Sequence, residues 1–88
     1  MAKTAIFLAD GFEEIEALTV VDLLRRAGIE IVTASINGRK EVSGSHKITV
    51  IADTLLEDVD FEAMDMLILP GGQPGTTNGY WLYDKVGF

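Results

Sequence analysis

Cysteine is absent from these 88 residues. That excludes a disulfide framework, a thiolate metal site and a catalytic thiol within this sequence. Basic residues are scarce: 7 Lys and Arg stand against 14 Asp and Glu, for a net charge of −7. Nucleic-acid binding needs clustered cations to displace counterions, so this balance argues against it. Arg25-Arg26 and Arg39-Lys40 are isolated pairs that read as a helix end and a turn. Long hydrophobic runs are also missing. Thr4–Ala9 and Met66–Pro70 fall far short of the roughly 20 apolar residues a membrane span requires. Met1-Ala2-Lys3-Thr4 passes straight into a first strand, so no signal peptide is expected ahead of the fold, and a cytoplasmic location follows by default.

What is present suits one small domain. The length lies near the low end of what a single core supports, and 48% hydrophobic with 24% charged residues is an ordinary globular composition. No internal repeat, linker or low-complexity segment interrupts it. Thr4–Ala9 is a continuous apolar run, as in a strand buried on both faces of a parallel sheet. Asp10-Gly11 turns the chain, and Glu13 and Glu14 are placed to favour a helix N-terminus. The helix is expected to run to about Ala27, with Arg25 and Arg26 in its last turn and Gly28 as its C-cap. Ile29–Ile36 reads as a second strand and Asn37-Gly38 as a turn. Glu41–Ile51 reads as a small hairpin leading into a strand, with Ile48 and Val50 on one face. Asp53–Asp60 is expected to form a short turn or helical piece capped by Asp53-Thr54. Met66–Leu69 is expected to be another fully buried strand.

Strand, helix, strand, crossover and strand make an α/β pattern, and right-handed crossovers make its sheet parallel. In flavodoxin-like order the first strand is central, which puts a topological switch point between Thr4–Ala9 and Met66–Leu69. Ligands bind at such a crevice, outside the carboxyl ends of the strands. Two loops reach it, Asp10–Glu13 and Gly71–Asn78, making Gly11, Gly71 and Gln73 candidate substrate-binding positions.

Turning the helix by about 100° per residue places Ala17, Val20, Val21, Leu24 and Ala27 on an inward stripe, with Leu23 at its margin. Glu16 falls on the same stripe, one turn before Val20. A buried carboxylate there would be pushed toward its protonated form, ready to donate to an anion or act as a general acid or base. Gly71-Gly72, following a buried strand, can turn backbone N–H groups toward a developing oxyanion. Neither the lysine-containing phosphate loop nor the dinucleotide fingerprint is present, so nucleotide binding ranks low. His46, in a polar Gly-Ser-His-Lys turn, reads as an exposed turn residue. No metal-ligand cluster and no Ser/His/Asp spacing stands out.

Gly11-Phe12-Glu13-Glu14-Ile15-Glu16, then Val21–Ile29, then Leu69-Pro70-Gly71-Gly72-Gln73-Pro74-Gly75-Thr76-Thr77-Asn78 resemble the ThiJ/PfpI family, in its Parkinson-protein, deglycase-like branch. The resemblance covers residues 2–78. It implies a flavodoxin-like three-layer α/β sandwich, usually a homodimer, with a cysteine nucleophile at a strand-to-helix elbow. It further implies that Glu16 tunes that cysteine and that Gly72 supplies an oxyanion N–H. Cofactor-independent glyoxalase or deglycase chemistry on reactive carbonyls, redox sensing and chaperone or stress-response roles are the activities it suggests.

Residues 1–78 thus read as the N-terminal half of such a domain, and 79–88 (GYWLYDKVGF) as an aromatic tail that matches nothing in it. The nucleophile lies in neither part. A chain of this kind is expected to be catalytically silent alone and to need a partner, either further copies of itself or a complementing chain that supplies the missing half. Met66–Leu69 would otherwise leave an apolar sheet edge free, which invites association. Ile15 and Leu18, apolar yet on the outward side of the helix, are the candidate dimer interface. The competing expectation is a non-enzymatic, chaperone-like or assembly module using that edge and that helix.

Overall fold

β1 (Lys3–Leu8) is the centre of the computed structural model, which describes residues 2–70. It runs parallel to β2 (Glu30–Ser35), pairing Thr4 with Ile31 and Phe7 with Ala34. On its other side it pairs, again in parallel, with β6 (Met66–Ile68), Ala5 lying opposite Leu67. β5 (Thr54–Leu55) adds to the outside of β2, giving the order β5-β2-β1-β6. The flavodoxin-like arrangement expected around a central first strand is therefore the one observed. A separate antiparallel pair, β3 (Glu41–Ser43) and β4 (Thr49–Ile51), forms the hairpin.

Alternation along β1 sends side chains to both faces of the sheet. Ile6 and Leu8 join Phe12, Ala17, Val21, Ile31 and Val42 under the helix. Ala5 and Phe7 join Ala34 and Leu56 on the opposite face, where Phe7 stacks on Phe61 at 5.8 Å between ring centroids. This face is covered by two short 3-10 turns, Leu56–Asp58 and Phe61–Ala63. Asp53-Thr54 does not cap them. Asp53 instead accepts from the Thr33 N–H at 3.0 Å and from Arg25 at 3.0 Å, tying the helix end to β2.

The helix α1 spans Glu14–Arg26. It ends as expected, with Gly28 at φ +79° just beyond the Ala27 cap. Gly28 N–H donates to Arg25 and Ile29 N–H to Leu24, the pair of bonds that closes a helix on a left-handed glycine. Its buried side is narrower than the expected stripe. Ala17 and Val21 are buried, Val20 and Leu24 pack partly against the core, and Ala27 is exposed.

β6 departs further from expectation. Met66 is 56% and Leu69 46% exposed, because among the described residues β6 pairs on one side only. Gly71, Gly72, Gln73 and the 79–88 tail lie outside the described residues. Among the described residues no helix is long and apolar enough to cross a membrane.

Candidate functional site

Two structures meet at the first turn of α1, and the two acidic side chains there face different ones. On one side is the crevice between the carboxyl ends of β1 and β6. An open cleft of about 510 Å³ lies there, lined by Ile6, Glu16, Val20, Ile68, Leu69 and Pro70 among others. Glu16 is thus at the switch point, beside the strand that leads toward Gly71. It is exposed, however, not buried as the helical pattern suggested. The reason is geometric: the stripe's Val20 margin faces the cleft, and no described element closes over it.

Gly11, expected at the crevice, is not among the residues that line the cleft; it is buried in the β1–α1 loop with φ +90°, a conformation that glycine adopts at little cost. Its N–H does not point into the cleft, as a substrate-binding role for that group would require. It donates to the Ser43 carbonyl at 2.8 Å, so the observed work of Gly11 is to join the β1–α1 loop to the hairpin. Asp10 does the same, accepting from the Ser43 N–H at 3.0 Å while its other oxygen meets Arg39 at 3.0 Å.

On the far side of the turn is Glu14, the buried acid that the helical stripe did not single out; only 3% of it is exposed. Oε2 accepts from the His46 N–H at 2.7 Å and the Ile48 N–H at 3.3 Å. Oε1 lies 2.8 Å from His46 Nδ1 and accepts more distantly from the Ser45 hydroxyl at 3.4 Å. Burial pushes this carboxyl upward, but the hydrogen bond from the His46 ring and those from backbone N–H groups outweigh it and hold it down to about 2. The His46 imidazole is raised above its ordinary 6.5 by its hydrogen bond to Glu14 and by the charges of Glu14 and Glu13. Gly44 packs so closely on the Glu14 carboxylate that a Cβ there would collide with it. His46 is an exposed turn residue, as expected, with 67% of its side chain accessible. Nothing local in the sequence points to its bond with a buried carboxylate.

A signal for Glu14 itself is present in the helical spacing. It stands three residues before Ala17 and seven before Val21, on the margin of the apolar stripe opposite Glu16. Glu13, Glu14 and His46 are the one group of potential metal donors close together among the described residues. The Glu14 oxygens are already taken by hydrogen-bond donors, so the arrangement is that of a clasp on the hairpin turn.

Ile15 and Leu18 are 75% and 38% exposed, on the outward side as expected. They line a shallow groove of about 350 Å³ with Thr19, Asp22, Glu14 and Ile48. Ile48, itself 51% exposed, is its opposite wall.

A parallel sheet in this order, with an acid at its switch point, defines a flavodoxin-like α/β unit. The profile of the DJ-1/PfpI family matches residues 2–82, and the chain belongs to that family. It is 40% identical over 77 residues to the protein dj-1beta of Drosophila melanogaster, covering 86% of this chain and 41% of that protein. It is 37% identical over 71 residues to a deglycase of Thermococcus kodakarensis, with 81% and 42% covered. The solved structure of oxidized DJ-1 from Toxoplasma gondii matches with a TM-score of 0.80 at 40% identity, over 84% of this chain and 40% of that one. The chain therefore spans about two fifths of the length of these relatives.

Proposed function

We propose that the chain contributes the acidic half of a cysteine-dependent site acting on reactive carbonyls such as 2-oxoaldehydes or their adducts. The observation that carries this reading is the position of Glu16, at the mouth of the cleft between β1 and β6 in a chain that is similar to a named deglycase. In this reading Glu16 hydrogen-bonds and tunes a thiol supplied from outside these 88 residues, and Gly72 presents an oxyanion N–H. No cofactor enters the chemistry. A carboxylate beside a thiol works best when water is kept out, and Glu16 is exposed until the cleft is covered. The 88 residues alone are therefore proposed to be inactive. Incubation with methylglyoxal tests this: no loss of substrate is expected, while turnover above that of a Glu16→Gln control would overturn it.

The second reading is an assembly role, favoured by the exposed apolar groove at Ile15, Leu18 and Ile48. It makes this face the contact between copies in a homo-oligomer. Association that changes with a carbonyl ligand, without turnover, supports the assembly reading against the enzymatic one.

A further inference from the structure

We propose that Glu14 and the Gly44–Ile48 turn form a proton-controlled latch, in which the charge state of His46 sets how tightly the turn closes over the first turn of α1. This goes beyond the cleft and does not depend on any role for Glu16.

The geometry has three parts. First, the latch bolt is a single buried carboxylate that reaches 32 positions along the chain to His46 and 34 to Ile48. Second, the turn it holds is not relaxed. Lys47 sits at φ 64°, a left-handed conformation unfavourable for a side-chain-bearing residue, while donating its N–H to the Gly44 carbonyl at 3.1 Å. The Glu14 contacts help offset that strain. Third, the His46 ring lies on the surface, with 67% of its side chain accessible, where solvent protons reach it.

The groups that face the imidazole are few. Glu14 approaches from α1 at 2.8 Å and Glu13 from the loop before it at 3.9 Å. From its own turn comes the Ser45 hydroxyl at 3.1 Å. With the ring protonated, Nδ1–H donates to an anionic partner, the stronger class of hydrogen bond. A neutral ring loses the charge and leaves Ser45 competing for the same nitrogen. The backbone bonds from His46 and Ile48 to Glu14 and from Ser45 to Phe12 then hold the turn without the charged ring. The raised affinity of His46 for its proton agrees in direction with this coupling. Because Ile48 is a wall of the Ile15–Leu18 groove, the latch ties the shape of that groove to pH.

Amide hydrogen exchange on the 88-residue chain tests the latch, with rates corrected for intrinsic base catalysis. Between about pH 5.5 and about pH 9, spanning the ordinary histidine range, protection of the His46 and Ile48 amides should fall roughly 5–10-fold. The β1 amides should not change. In His46→Gln, which keeps a neutral donor but cannot titrate, protection should be low and independent of pH. Equal protection at both pH values, the same step in His46→Gln, or an equal loss across β1 would each overturn the proposal.

Discussion

Glu14 Oε1 and His46 Nδ1 lie 2.8 Å apart, joining the first turn of α1 to the tip of the β3–β4 hairpin. Around that bond the loop and the hairpin are sewn together by Gly11 to Ser43, Ser45 to Phe12 and Ser43 to Asp10. The hairpin is thus a brace for the loop that leads into the helical turn carrying Glu16, which lines the cleft. Glu14 and Glu16 share a helical turn and differ in role. Glu14 is consumed in structure, whereas Glu16 is left facing the crevice.

Gly44→Ala should expose the tightness of this brace. The added methyl would collide with the Glu14 carboxylate, so either the turn or the first helical turn must move. Overpacking of this kind should lower Tm by roughly 5–15 °C. Thermal unfolding followed by circular dichroism checks it, and an unchanged Tm would mean the turn yields freely.

The Glu14–His46 pair should also give stability two edges in pH. Glu14 is held down to about 2 from its ordinary 4.5, so its contribution is complete above 4.5 and is lost as pH falls toward 2. His46 is raised from 6.5, so its contribution is complete below 6.5 and is lost as pH rises through the folded value. Both edges describe one interaction, which is whole between about 4.5 and 6.5. Urea midpoints measured across this range should be highest in that window, and Glu14→Gln should flatten both edges.

How much of this was legible in the residues follows from what covers each one. The central strand, the helix and its glycine stop were readable because period and capping are local properties. Glu16 and Glu14 flank the apolar stripe almost symmetrically, and periodicity alone cannot decide between them. What decides is a hairpin about 30 residues away that closes over Glu14 and a cleft that stays open beside Glu16. The exposure of β6 was hidden for a related reason: Met66–Leu69 has the composition of a central strand, but among the described residues β6 pairs only with β1.

Asp53 makes a separate contribution at the other end of α1. Its Oδ2 takes the Thr33 N–H and Arg25, and the Thr33 hydroxyl answers the Asp53 N–H at 2.8 Å. Asp53→Ala should cost about 1–3 kcal/mol by leaving the buried Thr33 amide unpaired. Asp53→Asn, which keeps an acceptor, should lose less. Denaturant titration distinguishes the two, and equal losses would mean that charge, not the backbone bond, matters.

Leu18→Glu should weaken any self-association through the groove, since it places a charge between Ile15 and Ile48. Sedimentation velocity at tens of micromolar reads this directly. Assembly unaltered by the substitution would assign the contact to another face.

The central claim is that Glu16 is half of a site whose thiol comes from elsewhere. The most direct measurement mixes the chain with a polypeptide corresponding to the portion of the Thermococcus deglycase that it does not match, and follows methylglyoxal loss. The account predicts turnover that appears on mixing and is lost with Glu16→Gln, while Glu14→Gln retains part of it. Turnover of equal rate in the Glu16→Gln mixture would contradict it.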